Sequence, residues 1–379
     1  AGLIQAEKLP VPPLLVKPLP FYRVDGGRIR QRGADGEWTR VARRPGVLLL
    51  GDVKRASAPV AKNGSASLWD VGDGVLCVEF HSRLNSLDDG SLAMIKTATE
   101  TIKKSAGKYV ALVIHNEADN FSAGANVGLA LFAANIALWP FIEEGQSSGQ
   151  KILKEMKYAP FPTVSAPSGM ALGGGCEILL HSSAVQAHAE SYIGLVEVGV
   201  GLVPGWGGCA EMTTRTYTNK RGPQGPIAPL AGVFETIGLA KVSKSAEEAR
   251  DLMFLRPTDF ITMNRDRLLA DAKSRALALA KDYQPPKPVA LRLPGPTGAA
   301  AIGLSLDDLH RQGKASDHDL VVAGKLAEVL SGGATDITEE TSEDQLLALE
   351  RKSFQALIRT DKTLARIEHT LETGRPLRN

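Results

Sequence analysis

Apolar and polar positions alternate along residues 67–80 on either side of a glycine-rich turn: Ser67-Leu68-Trp69-Asp70-Val71, Gly72-Asp73-Gly74, then Val75-Leu76-Cys77-Val78-Glu79-Phe80. A period of two flanking an Asp-Gly turn predicts a β-hairpin. Helical spacing follows over residues 87–104, and then the apolar run Val110-Ala111-Leu112-Val113-Ile114 predicts a buried strand. Small residues, Asn120-Phe121-Ser122-Ala123-Gly124-Ala125-Asn126, stand at that strand's exit. Further strands are predicted over residues 163–167 and 184–189, and glycines 173–175 open a helix running from Cys176 to about Ser183. This recurrence of strand and helix from about 67 to 215 predicts an α/β core.

The flanks differ. Pro10, Pro12, Pro13, Pro18, Pro20, Pro45 and Pro59 interrupt any helical period over residues 1–66, which predicts a linker or the remnant of a preceding module. Pro223, Pro226 and Pro229 predict a loop over 221–232, and Ser245-Ala246-Glu247-Glu248 opens a mostly helical tail. One long helix is expected over 342–372. Its signals are a Ser342/Gln345 capping box, an apolar stripe including Leu346, Leu349, Phe354, Leu357 and Ile367, and Gly374 and Pro376 as stops. The chain thus divides into residues 1–66, a core domain over 67–285 and a helical region over 286–379.

Composition narrows the function class. In 379 residues, hydrophobic residues at 43%, charged residues at 23% and a net charge of +2 are those of a globular protein, with no bias toward nucleic acid. Between residues 23 and 44 seven arginines face three acidic residues, which predicts a solvated loop or else a contact for an anionic ligand. Cys77, Cys176 and Cys209 have neither paired spacing nor histidine companions, so no disulfide framework and no metal site is expected. No apolar run reaches the ~18 residues of a membrane span, and prolines interrupt the N-terminus where a signal peptide needs an apolar core, so a reducing cytoplasm is the expected setting.

Three stretches carry candidate chemistry. Ser122-Ala123-Gly124-Ala125 lets a ligand approach bare backbone. Gly173-Gly174-Gly175-Cys176-Glu177 places glycines before a helix, whose free N–H groups and dipole favour a developing oxyanion, with Glu177 beside them. Glu197, ahead of Pro204-Gly205-Trp206-Gly207-Gly208, supplies a second carboxylate.

In order and spacing, these three stretches resemble the crotonase (enoyl-CoA hydratase/isomerase) family. Gly194-Leu195-Val196-Glu197-Val198-Gly199, Val233-Phe234-Glu235-Thr236-Ile237 and the terminal Gly374-Arg375-Pro376-Leu377-Arg378-Asn379 are similar to the hydratase half of bacterial fused 3-hydroxyacyl-CoA dehydrogenase/enoyl-CoA hydratase proteins. The resemblance implies a crotonase-like ββα spiral core followed by a mostly helical region. It also implies an acyl-CoA thioester substrate, of which CoA is a part, with no separate cofactor. The backbone N–H groups of Ala125 and Gly174 would form the oxyanion hole, and the Ala123 backbone would meet the adenine. Glu177 would be the base that activates water, and Glu197 the acid that protonates C2. Asn126 stands where the family often has Asp. The dehydrogenase half of a longer chain is then an expected partner, and a homo-oligomer is left open.

Retention of both carboxylates favours an enoyl-CoA hydratase of fatty-acid β-oxidation. The rival readings are a Δ3,Δ2-enoyl-CoA isomerase and a CoA-thioester binding module inactive without its dehydrogenase half. An NAD-dependent dehydrogenase is disfavoured, because no strand-linked G-x-G-x-x-G occurs and the nearest approach, Gly199-Val200-Gly201-Leu202-Val203-Pro204, ends in proline. His81 and His115 flank strands and are read as structural.

Overall fold

The computed structural model describes residues 2–12, 15, 20–33 and 35–379; Pro13, Lys17 and Pro18 of the proline-rich start lie outside the described residues. The N-terminal stretch, expected as a linker, carries regular structure. A short helix α1 (Gly2–Ala6) precedes an antiparallel sheet of β1 (Tyr22–Asp25), β2 (Arg28–Arg32) and β3 (Trp38–Arg40). Part of the arginine excess is satisfied within it: Arg30 meets Asp25 at 3.1 Å, and the Arg23 guanidinium lies 4.6 Å from the Trp38 ring centre. Helix α2 (Leu50–Ala56) then docks on the core through Leu50, which is fully buried beside Trp69 and Val71. Burial of a leucine stabilises by about 1.5–3 kcal/mol. Lys54 of the same helix meets Glu79 at 2.7 Å, and Trp69 Nε1 donates to the other Glu79 oxygen at 3.0 Å. Strand β4 (Ala61–Lys62) pairs with β5 (Ala66–Asp70), so the boundary expected at residue 66 falls inside a sheet.

The predicted hairpin forms from β5 and β6 (Val75–Phe80), with Leu68 opposite Val78. Helix α3 (Asp89–Lys104), N-capped by Asp88, leads to β7 (Ala111–His115), and the helices α4 (Val127–Asn135) and α5 (Trp139–Lys157) lead to β8 (Thr163–Ala166). The chain continues through β9 (Gly169–Leu172), α6 (Gly174–His181), β10 (Ala184–His188) and β11 (Ser191–Gly194). After α7 (Gly208–Thr218), α8 (Ala228–Gly238) and α9 (Ala246–Asp251) comes an edge strand, β12 (Phe260–Thr262).

The main sheet has the order β12-β10-β8-β7-β6-β5-β4, parallel from β12 to β6 and antiparallel from there. Its central strands are buried along their whole length, as parallel strands covered on both faces must be. Helix α10 (Leu268–Ala280) covers one face through Leu268, Leu269, Ala272 and Ala276, packed with Val75, Cys77, Val113 and Val164. The other face joins a larger core with α3, α5 and α6, including Leu76, Ile95, Leu112, Leu153 and Leu179. A second layer, the parallel pair β9 and β11, stands beside the sheet, and each strand follows directly on one of its strands. Strand, strand, helix is thus the repeating unit.

Four helices close the chain: α11 (Gly295–Arg311), α12 (Asp317–Leu330), α13 (Glu343–Ile358) and α14 (Asp361–Thr373). The single helix expected over 342–372 is therefore two. It breaks at Arg359 and Thr360, where Thr360 adopts extended backbone and its side chain accepts from Thr363 N–H as a new N-cap. The loop expected over 221–232 ends early because α8 begins at Ala228, with Pro229 in the first turn, where a missing N–H costs nothing. Among the described residues no helix is long and apolar enough to cross a membrane.

Candidate active site

The parallel pairing of β9 and β11 decides where the site lies. Leu172 stands opposite Gly194, so the two strands leave the small layer side by side. The exit of β9 becomes Gly173–Glu177, and the exit of β11 becomes the 3-10 turn Glu197–Val200. The segment after β7 runs along the other side of β9: Ser122 N–H donates to Met170 O at 2.9 Å, and Leu172 N–H to Ser122 O at 3.0 Å. Leu87 continues the layer, donating to Gly124 O at 2.8 Å and accepting from Asn126 N–H at 2.9 Å. Three stretches far apart in sequence thus meet at one edge.

In that pairing the Ala125 N–H faces away from Leu87. It finds no acceptor among the described residues, and neither does the Gly174 N–H at the first position of α6. Both are orphan donors beside a helix N-terminus, the arrangement that binds an anionic oxygen. Gly173 adopts φ 51° and its N–H donates to Gly194 O at 2.9 Å. A β-carbon on Gly174 would lie 2.7 Å from the Trp206 ring, so glycine is required there for contact with Trp206. Asn126, the departure from the family pattern, keeps a local role by accepting from Leu129 N–H at 3.3 Å as N-cap of α4.

Glu177 is 2% exposed, and its Oε1 accepts from Trp206 N–H at 2.7 Å and Gly208 N–H at 2.8 Å. Glu197 is partly buried, and its Oε2 is enclosed with no hydrogen-bond partner among the described residues. Burial raises both carboxyls well above the ordinary range. The two backbone N–H groups oppose that rise at Glu177, whereas the charge of Glu177 adds to it at Glu197. Backbone donors thus favour the anion at Glu177, and a neighbouring charge disfavours it at Glu197.

All five residues singled out from the sequence, Ala123, Ala125, Gly174, Glu177 and Glu197, line one cavity of about 300 Å³. The rest of its wall is mostly apolar: Val127, Leu129, Phe141 and Ile142 come from α4 and α5, Trp206 from the turn before α7, and Phe354 from α13, with Asp88, Asp89, Asn126, Gln146 and Thr370 as its polar members. Sequence reasoning flagged Pro204–Gly208 as a motif but missed that its backbone holds Glu177. It also placed Phe354 only on the apolar stripe of a helix. Of the apolar residues between 129 and 141, Leu129 and Phe141 reach the cavity, Leu131 and Trp139 pack on the core, and Phe132 is 62% exposed. His81 Nε2 pairs with Ser67 Oγ at 3.1 Å and the buried His115 Nδ1 with Ala166 O at 3.1 Å; neither lines the cavity.

Residues 70–221 match the enoyl-CoA hydratase/isomerase family. The chain is 39% identical over 347 residues to a Bacillus subtilis (strain 168) protein named "Probable 3-hydroxyacyl-CoA dehydrogenase", covering 91% of this chain and 43% of that protein. It is 30% identical over 317 residues to the "Putative fatty acid oxidation complex trifunctional enzyme" of Rickettsia felis (strain ATCC VR-1525 / URRWXCal2), covering 84% of this chain and 40% of that protein. The chain therefore spans less than half the length of either relative. Among solved structures, enoyl-CoA hydratase from Bacillus halodurans superposes with a TM-score of 0.55 at 16% identity, covering 80% of this chain and 99% of that one. That likeness is one of fold.

Proposed function

With residues 70–221 belonging to the crotonase (enoyl-CoA hydratase/isomerase) family, we propose that the chain hydrates trans-2-enoyl-CoA thioesters to 3-hydroxyacyl-CoA within fatty-acid β-oxidation. The observation that carries this reading is a pair of carboxylates, Glu177 and Glu197, facing the same cavity as two unpaired backbone N–H groups. Hydration of a conjugated thioester needs both. The carbonyl oxygen gains negative charge as water adds to C3, and two preorganised N–H donors, from Ala125 and Gly174, stabilise it as it forms. One carboxylate must take a proton from water and another must supply one to C2.

The environments divide those roles. Glu177, steadied as an anion by Trp206 and Gly208 N–H, is the base. Glu197, whose protonated form is favoured by burial and by the charge of Glu177, is the acid. The proton from water ends on Glu177 and the proton of Glu197 on C2, so turnover is completed by returning a proton from one to the other. CoA enters as part of the substrate, its adenine against the Ala123 backbone, with no separate cofactor. The names of the longer relatives support a place beside a 3-hydroxyacyl-CoA dehydrogenase, which would consume the hydroxy product. Mixing the purified chain with crotonyl-CoA and following loss of enoyl-thioester absorbance tests the reading. No loss, or conversion only of 3-enoyl-CoA to 2-enoyl-CoA, refutes it.

A further inference from the structure

A third carboxyl lies behind the site, and the reaction as described does not use it. Glu350 of α13 has no exposed surface, although it falls on the helix's buried stripe between Leu346 and Leu357, where an apolar residue is expected. Its Oε1 accepts from Cys209 N–H at 2.7 Å, and Gln150 Nε2 of α5 lies 3.4 Å from its Oε2. Gln150 also donates to Leu347 O at 3.1 Å and is met by Arg351. Cys209 directly follows Gly208, whose N–H donates to Glu177 at 2.8 Å. Successive N–H groups in the first turn of α7 therefore go to two different carboxyls, one facing the cavity and one behind it.

We propose that Glu350 is a positioning residue for Glu177, acting through the Trp206–Cys209 turn: by accepting the Cys209 N–H it fixes the turn whose other N–H groups orient the Glu177 carboxylate. The proposal rests on the reading of Glu177 as the base. A helix N-terminus supports one negative charge well, and a second enclosed anion beside it is strongly disfavoured. Burial and the charge of Glu177 both push the Glu350 carboxyl well up, which favours its neutral form as the acceptor. The titratable and charged groups facing it are Glu177 on α6, the Cys209 thiol on α7 and, through Gln150, Arg351 on α13 itself. The cluster of Lys157, Glu211 and Glu343, with His181, occupies positions further along α5, α7 and α13.

The test compares E350Q, which keeps the acceptor and removes the acid, with E350M, which keeps the volume and removes the acceptor. The titration of Glu177 is read by difference infrared spectroscopy against E177Q, a measurement that works whether or not the protein hydrates crotonyl-CoA and so separates failure of this proposal from failure of the proposed activity. The expected result is that E350Q titrates Glu177 at the wild-type midpoint. E350M, with a looser turn and weaker N–H donation to Glu177, is expected to raise that midpoint by about one pH unit and to lower kcat at least ~10-fold at unchanged KM. An unmoved Glu177 midpoint in folded E350M overturns the proposal. So does a lowered midpoint in E350Q, because Glu350 would then act by its charge; E350Q decides this even if E350M fails to fold.

Discussion

A β-carbon placed on Gly173 would stand 2.8 Å from Glu197 Oε1, closer than such atoms approach. The glycine that caps α6 is thus also the floor on which the second carboxylate rests. Gly173→Ala meets two penalties, the contact with Glu197 and the φ of 51°. It is expected to lower kcat for crotonyl-CoA at least ~10²-fold and to cost about 1–3 kcal/mol of stability, read by steady-state kinetics and urea unfolding. Wild-type kcat in the folded variant would show that Glu197 has room to move without consequence.

The proposed division of the proton work between two carboxylates requires both of them. Glu177→Gln and Glu197→Gln should each reduce kcat by at least ~10² while the fold, followed by circular dichroism, is retained. The double variant should lose much less than the product of the two single losses, because the residues act as a unit.

Stability should respond to pH in a direction set by burial. The folded-state pKa of Glu197 is raised above its unfolded value. The stability associated with its neutral form is therefore fully present below the ordinary carboxylate range and is lost as pH rises through the raised value. Glu197→Gln abolishes that loss. The difference in Tm between variant and wild type should accordingly grow from about pH 5 to about pH 9, each measured by calorimetry. A difference that shrinks over that range would mean that Glu197 is stabilised as an anion.

The cavity wall from α4, α5 and α13 bears on acyl length. Phe141 and Phe354 face the cavity, and Phe354 also packs on Gly205, whose added β-carbon would lie 3.2 Å from its ring. Phe354→Ala should open the wall. Each further CH₂ of the acyl chain that it buries would add up to ~0.8 kcal/mol, so the variant-to-wild-type ratio of kcat/KM should rise from C4 to C12 enoyl-CoAs. A ratio that stays flat would place the chain elsewhere.

The absence of a strand-linked dinucleotide fingerprint leads to an expectation about cofactors. The chain should show no saturable NAD binding by calorimetry at micromolar concentration and should leave 3-hydroxyacyl-CoA unoxidised. Binding in that range would reopen a redox role.

Much of the site was legible because its chemistry is local. Gly173–Glu177 carries both a turn and a helix start in five residues, and Glu197 stands in a glycine-rich stretch of its own, although the short strand ahead of it, Ser191–Gly194, was not predicted. What holds these pieces is not local. Cys209 and Glu350, like Gly205 and Phe354, meet only through tertiary packing, and the single clue was a glutamate on an apolar helix stripe. The N-terminal strands were missed for another reason. Arg28–Arg32 is polar except for Ile29, so it shows no alternation of apolar and polar positions, and its pairing rests on backbone hydrogen bonds and the Arg30–Asp25 ion pair. Thr360 and Pro229 were misjudged because capping and first-turn roles depend on where a helix begins, and periodicity fixes that poorly.

Helices α13 and α14 supply Phe354 and Thr370 to a cavity whose other walls come from residues 87–206. A ribosome making this chain has therefore released both carboxylates and the Ser122–Asn126 segment well before the last wall exists. Until then Glu177 and Glu197 lack the wall that α13 and α14 provide. Closure of the cavity waits for the C-terminal helices to dock.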